Sequence, residues 1–168
     1  MVVALGPAFG AGLDRTIGGL DHRDVLRAVL RGVHDEGLAA RVIRVHHTSD
    51  CAFIGHAGAR LSGSGVAVGI QSKGTAVIHQ RDLAPLETLE LFPQAPNLDL
   101  DTYRQIGRNA ARYAADLPAV PMPVRIDNTA RLRLIVQTLL MHLRETQQVE
   151  RERPPTGLRL LLAEEGEL

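Results

Sequence analysis

The chain has 168 residues, of which 45% are hydrophobic and 23% are charged. This is the size and composition of one globular domain, and it excludes a disordered chain. Lysine plus arginine equals aspartate plus glutamate, at 19 each. There is thus no overall basic field of the kind that attracts nucleic acid or acidic membranes.

The N-terminal residues Met1 to Leu5 lack the basic start and the apolar length of a signal peptide. No apolar run approaches the roughly 20 residues that span a bilayer. The single cysteine, Cys51, excludes an internal disulfide, and we interpret it as a buried structural thiol rather than a nucleophile. These features predict a cytoplasmic protein without a membrane segment.

Strand and helix signals alternate over the first 80 residues. A glycine-rich loop is expected over 6–20, followed by a helix that Asp21 caps and Gly37 ends. A second, short helix opens at Ser49 or Asp50 and reaches about Ala59. Short β-rich runs predict strands at Val2–Leu5, Ala39–Val45, Val66–Ile70 and Thr75–His79.

The second half is richer in helix. Residues 81–97 carry three prolines and predict a long surface loop. Asp99 caps a helix to Ala115, and a proline-rich linker follows at 118–123. A last helix is expected over 128–145, and an edge strand over 158–162. The inward face of the last helix is predicted to carry Leu132, Ile135, Leu139 and Leu143.

The alternation of strands and amphipathic helices predicts an α/β protein. We expect a three-layer α/β/α domain, Rossmann-like, with a mostly parallel or mixed central sheet. Residues 1–146 form its core, and 147–168 are a C-terminal segment of the same single domain.

Glycines bracket the predicted strand at 66–70, with Lys73 just past its end. The four are Gly63, Gly65, Gly69 and Gly74. A lysine there lies where α/β sheets bind ligands, and its ammonium suits a phosphate. The spacing fits neither a phosphate-binding P-loop nor a dinucleotide fingerprint, so tight turns with a surface lysine remain the alternative.

Asp50 also follows a strand end. It is either a helix cap or a second ligand-facing group in the same crevice. Arg104, Arg108 and Arg112 recur every four residues as a basic stripe, either solvated or facing an acidic partner. The seven histidines show no zinc spacing, and no catalytic triad is recognisable, so no metal ligand and no catalytic residue is assigned. The Asp-x-His-x-x-Gly motif that gives cobalt a histidine is also missing.

Several stretches closely resemble the medium, or β, subunit of adenosylcobalamin-dependent propanediol and glycerol dehydratases. The resemblance reaches about Glu145 and is carried by Val3–Gly10, Ala40–Arg44, Arg60–Gln80, Leu89–Pro96 and Thr102–Ala114. It implies a non-catalytic subunit of a carbon–oxygen lyase. Two large, two medium and two small subunits assemble, and the radical reaction turns glycerol or 1,2-diols into aldehydes plus water.

The resemblance also implies a site. Adenosylcobalamin, with its dimethylbenzimidazole on cobalt, lies between the large and medium subunits. Lys73 corresponds to a partner of the nucleotide phosphate and Asp50 to an acceptor for corrin amides. Pro93 and Gln94 line the benzimidazole side, and Arg131 and Thr138 complete the set. Under this reading the glycines around the strand at 66–70 serve close approach to the corrin or to a partner.

The chain departs from the family at three points. Thr138 replaces a serine, Leu134 stands where tyrosine is common, and the Ala/Pro-rich N-terminal extension linked to microcompartments is not seen. The alternative is the small subunit of a dehydratase-reactivating factor, which shares the fold and exchanges with the medium subunit. The resemblance also implies that the substrate pocket, which determines the preference for glycerol or propanediol, lies in another chain.

Overall fold

The computed structural model describes residues 1–93, 95–123, 129 and 133–158. Its strands are β1 (Val2–Leu5), β2 (Arg41–Arg44), β3 (Val66–Ile70), β4 (Ala76–Gln80), β5 (Glu90–Phe92) and β6 (Thr156–Gly157). In this part of the chain they form one sheet of six strands in the order β5-β4-β3-β1-β2-β6.

The sheet is mixed. β1 is parallel to both β2 and β3, whereas the pairs β3–β4, β4–β5 and β2–β6 are antiparallel. The turn at 71–75 is too short for a crossover, so β4 must return antiparallel beside β3. The predicted α/β class is confirmed, with parallel pairing confined to the three central strands.

The α-helices with described bounds are α1 (His22–Asp35), α2 (Cys51–Leu61), α3 (Leu100–Ala114) and α4 (Ile135–Gln147). Side chains of α1 and α3, including Val25, Val29 and Ile106, form one core with one face of the sheet. Ile54 and Ala59 of α2 form a second core with the other face. The sheet is therefore the middle of the three predicted layers, and α4 lies apart from these two cores.

Asp21, Asp50 and Asp99 each cap a helix as expected. Asp21 accepts a hydrogen bond from the backbone N–H of Arg23, Asp50 from Ala52 and Phe53, and Asp99 from Thr102. Each cap satisfies backbone donors that a helix start leaves unpaired. The predicted starts of α1, α2 and α3 are therefore confirmed.

The basic stripe on α3 joins two helices of the same chain. Arg104 makes a two-pronged ion pair with Asp35, at 2.7 and 2.9 Å, and Arg108 binds the same carboxylate at 2.8 Å. Arg112 reaches Glu36 at 3.2 Å. Neither a purely solvated stripe nor an acidic partner is needed, because the end of α1 supplies the acids.

The glycine bracket also serves packing within the chain. A Cβ on Gly69 would come within 2.6 Å of the Gly55 nitrogen in α2. A Cβ on Gly74 would come within 2.6 Å of the Tyr103 hydroxyl, and Gly74 has a φ of +99°. The interpretation of these glycines as approach points for a corrin or a partner is therefore wrong at Gly69 and Gly74.

Three local expectations are corrected. The loop predicted over 81–97 contains β5 and a 3-10 turn, Ala95–Asn97. The edge strand lies at Thr156–Gly157, just before the predicted 158–162, most of which is outside the described residues. The third concerns the predicted inward face of α4: Ile135, Leu139 and Leu143 are exposed by 57%, 56% and 47%, and Leu132 is not described.

The exposed face follows from the composition of α4, which has apolar residues on both sides. Its inward positions are Leu134, Thr138, Met141 and Glu145, spaced four, three and four residues apart. Met141 and Glu145 are buried, and Leu134 and Thr138 are half-buried. The prediction placed the most hydrophobic face of the helix inward. That prediction is wrong because the face that packs against the rest of the protein contains a threonine and a glutamate.

Within the described residues no helix is both long and apolar enough to cross a membrane.

Candidate functional site

The three parallel strands define a crevice. The connection from β1 to β2 runs through α1 on one face of the sheet, and that from β2 to β3 runs through α2 on the other. The chain therefore changes faces between β1 and β3. Open α/β sheets bind ligands outside the carboxyl ends of strands at such a point. We call the backbone around Gly6–Phe9 and Gln71–Gly74, which follows these two strands, the switch-point crevice.

The carboxylate of Glu145 occupies this crevice. Glu145 lies on α4 and is 1% exposed. One carboxylate oxygen accepts a hydrogen bond from the backbone N–H of Ser72 at 3.1 Å, and the other accepts a longer one from Ala8 at 3.4 Å. A Cβ on Gly6 would overlap the carboxylate. A side chain of α4 thus fills the position between the ends of β1 and β3.

Charges surround this carboxylate. Burial raises the pKa of Glu145, and the hydrogen bonds from Ser72 and Ala8, followed by the charge of Lys73, oppose that rise. Burial also lowers the pKa of Arg44, which the charge of Glu145 partly restores. The Arg44 guanidinium donates to the carbonyls of Gly6, Pro7 and Phe9 at 2.8–3.1 Å. The loop after β1 therefore binds a cation through its carbonyl groups and an anion through the Ala8 N–H.

His22 clamps the two sides of the crevice together. Its Nδ1 lies 2.9 Å from both the Gly10 nitrogen and the Leu13 carbonyl oxygen, and its Nε2 lies 2.8 Å from the Ser72 carbonyl oxygen. Burial lowers the pKa of His22, and the contacts with the Ser72 and Leu13 carbonyls oppose that shift. The ring also stacks on Phe9 with centroids 3.9 Å apart. The backbone that binds Glu145 is thus rigidly positioned.

An open groove of about 390 Å³ lies beside the crevice, between the turn after β3 and helix α4. It is lined by Lys73, Ile135, Thr138, Leu139 and His142. Lys73 is the only lysine in the chain. The groove combines one ammonium, one hydroxyl and one imidazole with two apolar side chains. Such a lining suits a ligand that carries both a phosphate and apolar parts.

The structure brings two of the predicted site residues together, since Lys73 and Thr138 face each other across this groove. Asp50 is at the same edge of the sheet, next to Ser49, whose carbonyl accepts a hydrogen bond from the Gln71 side chain. One Asp50 carboxylate oxygen caps α2. Pro93 is exposed just after β5 and does not line the groove. Gln94 and Arg131 lie outside the described residues.

Sequence reasoning missed Glu145, Arg44, His22 and His142. The only available signal for Glu145 was its helical spacing from Leu134 and Met141, and an acidic residue at such a position usually indicates the edge of a buried face. His22 and Arg44 act through backbone carbonyls of distant loops, which no local pattern predicts.

The thiol of Cys51 is structural, as expected. It is buried, and its Sγ lies 3.3 Å from the carbonyl oxygen of Thr75. Burial raises the pKa of this thiol to about 12, so the reactive thiolate is absent near neutrality. No group of three or more histidine, cysteine, aspartate or glutamate side chains suited to a metal ion occurs within the ranges that the structure describes.

The model of the dehydratase medium subunit family matches residues 6–119. This is about two thirds of the chain, and it includes β2 to β5, the three capped helices α1 to α3 and the turn that carries Lys73. The chain belongs to the dehydratase medium subunit family. It is therefore a subunit of a heteromeric dehydratase, and large and small subunits are its partners.

Two solved structures share the fold of this medium subunit. A glycerol dehydratase reactivase has a TM-score of 0.60 and 19% identity, over 71% of this chain and 95% of its own. A diol dehydratase-reactivating factor complexed with ADP and Mg²⁺ has a TM-score of 0.55 and 21% identity, over 72% and 96%. At this identity the likeness concerns the fold alone.

Proposed function

We propose that this medium subunit binds the nucleotide tail and lower face of adenosylcobalamin at its interface with the large subunit. The assembled enzyme, with two of each subunit, converts glycerol or 1,2-diols into aldehydes and water by a radical mechanism. The observation that carries this proposal is the groove in which Lys73 faces Thr138 beside the switch-point crevice.

The groove fits one part of such a cofactor. Lys73 offers an ammonium for a phosphate, and Thr138 offers a hydroxyl that both donates and accepts hydrogen bonds. Ile135 and Leu139 supply apolar contacts on the same wall. A cobalamin is much larger than about 390 Å³. The groove therefore accounts for a portion of the molecule, and a second chain has to enclose the rest.

Helix α4 supplies a surface for that second chain. Val136, Leu140 and Leu143 are exposed by 69%, 55% and 47%, on the helix that carries Thr138. A contiguous apolar surface of this kind is typical of protein interfaces. Its position next to the groove supports closure of the cofactor site by the large subunit.

Adenosylcobalamin supplies, when bound, the adenosyl radical that abstracts hydrogen from the substrate. The residues of this chain bind and orient the cofactor and keep water from its lower side. None of them is assigned a proton or hydrogen transfer, so the subunit alone has no dehydratase activity. Asp50, Pro93, Gln94 and Arg131 belong to this proposal through the family resemblance.

The test is cofactor affinity of the complex reconstituted from large, medium and small subunits. Lys73→Ala should weaken adenosylcobalamin binding by about 1–3 kcal/mol, or roughly 5- to 150-fold, the scale for losing a charged hydrogen-bond partner. Lys73→Arg keeps the charge and should retain more affinity. Arg60→Ala, an exposed cation at the far end of α2, is the matched control. Equal affinity for Lys73→Ala and wild type would contradict the assignment.

The single lysine permits a second, direct measurement. Reductive methylation of this chain with ¹³C-formaldehyde before reconstitution labels Lys73 and the N-terminal amine, and Lys73→Arg identifies the signal of Lys73 by its loss. The signal should shift when cobalamin is added to the complex.

The competing function is that of a reactivating-factor small subunit. The fold shared with the two reactivase structures is the observation in its favour. Such a protein would co-purify with a large reactivating ATPase and would not restore dehydratase activity to large and small dehydratase subunits. Restored activity on mixing favours the medium subunit.

A further inference from the structure

Helix α4 packs against the rest of the protein through a contact whose buried centre is a charged residue, Glu145. We call this contact the α4 seat. Among the described inward residues of α4, Met141 contacts Ile17 and Ala95 in a small apolar cluster. One turn further on, the buried residue is Glu145, whose two carboxylate oxygens reach the N–H groups of Ser72 and Ala8. A buried carboxylate is costly unless it is hydrogen-bonded, so this contact demands one register of the helix.

The receiving surface is shaped for that carboxylate. Gly6 leaves the space that a Cβ would take from it, and Gly12 does the same for the Gln148 side chain just past the end of α4. The Ser72 hydroxyl is fully buried beside the carboxylate and helps to oppose the rise in its pKa. The two loops that receive α4 are the same loops that follow β1 and β3.

The turn that binds Glu145 also carries Lys73. Ser72, which donates to Glu145, precedes Lys73 directly, and the Lys73 carbonyl accepts from the backbone N–H of Ile17 at 3.0 Å. The opposite wall of the groove consists of four α4 residues, which lie three to ten positions before Glu145 and include Thr138 and His142. The separation of the two walls is consequently set by how α4 sits on this turn.

We propose that Glu145 is a positioning residue for the groove: its carboxylate, seated in the switch-point crevice, sets the distance of Thr138 and His142 from Lys73. This inference rests on the proposed function only in that the ligand of the groove is taken to be cobalamin. The seating of α4 itself is a property of the isolated chain.

The first experiment measures amide hydrogen exchange in the isolated full-length chain. Glu145→Ala should speed exchange of the α4 amides by roughly 10- to 150-fold, the change in opening equilibrium expected from losing hydrogen bonds to a charged group. Amides of β1 and β3 should keep their wild-type protection, which shows that the variant is folded. Thr146→Ala, exposed on the next position of the same helix, is the control. Unchanged exchange in α4 of Glu145→Ala overturns the inference.

A double-mutant cycle makes the test specific to the crevice. Gly6→Ala should evict the carboxylate without removing it, and so should speed α4 exchange as Glu145→Ala does. In the Glu145→Ala background the added methyl group has no carboxylate to displace, and Gly6→Ala should change exchange by less than about twofold. Gly63→Ala, where a Cβ meets nothing within 4 Å, is the matched glycine control. Equal effects of Gly6→Ala in both backgrounds would refute the seat.

The second experiment measures cofactor binding and turnover of the reconstituted complex. Glu145→Ala should raise the Kd for adenosylcobalamin while kcat at saturating cofactor stays near wild type, and Glu145→Gln, which keeps one acceptor oxygen, should fall between the two. Loss of kcat without a change in Kd would overturn a positioning role. The two proposals can fail separately. If Glu145→Ala speeds α4 exchange but Lys73→Ala leaves the affinity for adenosylcobalamin unaltered, the cofactor assignment is removed and the positioning of α4 by Glu145 remains.

Discussion

The α1–α3 layer and the α4 seat bury surface in different ways. Gly32 and Gly107 let α1 and α3 approach so closely that a Cβ on either would overlap the backbone carbonyl of the other helix. Apolar side chains fill the rest of that layer. By contrast, α4 turns most of its large apolar side chains outward and is seated through Glu145. The layer is a scaffold complete in itself, whereas α4 presents surface for something else.

The largest expected effect compares one apolar residue from each region. Ile106→Ala removes a fully buried side chain from the α1–α3 core and should lower the free energy of unfolding by about 2–5 kcal/mol. Leu140→Ala, at 55% exposure on α4, should change it by less than about 0.5 kcal/mol. Urea denaturation of both variants measures the difference. In a binding assay with the large subunit, folded Leu140→Ala should lose more affinity than folded Ile106→Ala. A Leu140→Ala variant that assembles normally would contradict the proposed interface.

A smaller loss is expected from overfilling the helix crossing. Gly107→Ala places a methyl group against the Val29 carbonyl, so the helices must separate, at a cost of about 1–3 kcal/mol. Gly63→Ala should be near neutral in the same denaturation series. If the two alanine variants proved equally stable, the close crossing would not be a determinant of stability.

A still smaller loss of stability is expected from removing the hydrogen bond that connects the α1–α3 layer to the turn beneath α4. The buried Tyr103 hydroxyl of α3 donates to the Gly74 carbonyl at 2.6 Å, next to Lys73. Tyr103→Phe should cost about 1 kcal/mol and should loosen the Lys73 turn, seen as faster amide exchange at Gly74. Exchange faster only in α3 would show that the bond serves the scaffold alone.

The smallest effect belongs to the ion pairs at the end of α1. Arg104 and Arg108 lower the pKa of Asp35 to about 2. A depressed carboxyl pKa stabilises the fold above the ordinary value near 4, and this contribution is lost as the pH falls toward 2. Asp35→Asn should therefore be less stable than wild type at pH 7, with the gap closing in acid. A gap that stays constant between pH 7 and pH 2.5 would exclude the ion pairs as its source.

Sequence patterns predicted the scaffold well because its signals are local. The caps at Asp21, Asp50 and Asp99 and the apolar spacing of α1 and α3 depend on residues a few positions apart. The mixed sheet was less accessible. It depends on the turn after β3 being too tight for a crossover, and on β5 emerging from a proline-containing stretch.

The site was only partly predictable, for a physical reason. Lys73 and Thr138 are 65 positions apart, and only the family resemblance linked them before the fold did. Glu145 binds backbone N–H groups, which every residue except proline carries, so its partners leave no trace in the sequence. The orientation of α4 was wrong for the related reason that its most hydrophobic stripe faces outward.

The short outer strands of the sheet affect the tendency of the unassembled subunit to aggregate. In the described sheet the edges are β5, with three residues, and β6, with two. Long open edges template pairing with other chains and lead to aggregation. Before assembly the subunit exposes the apolar face of α4, but its short edge strands add little further risk of aggregation. Lengthening either edge strand by design would be expected to lower the yield of unassembled protein before it altered the finished complex.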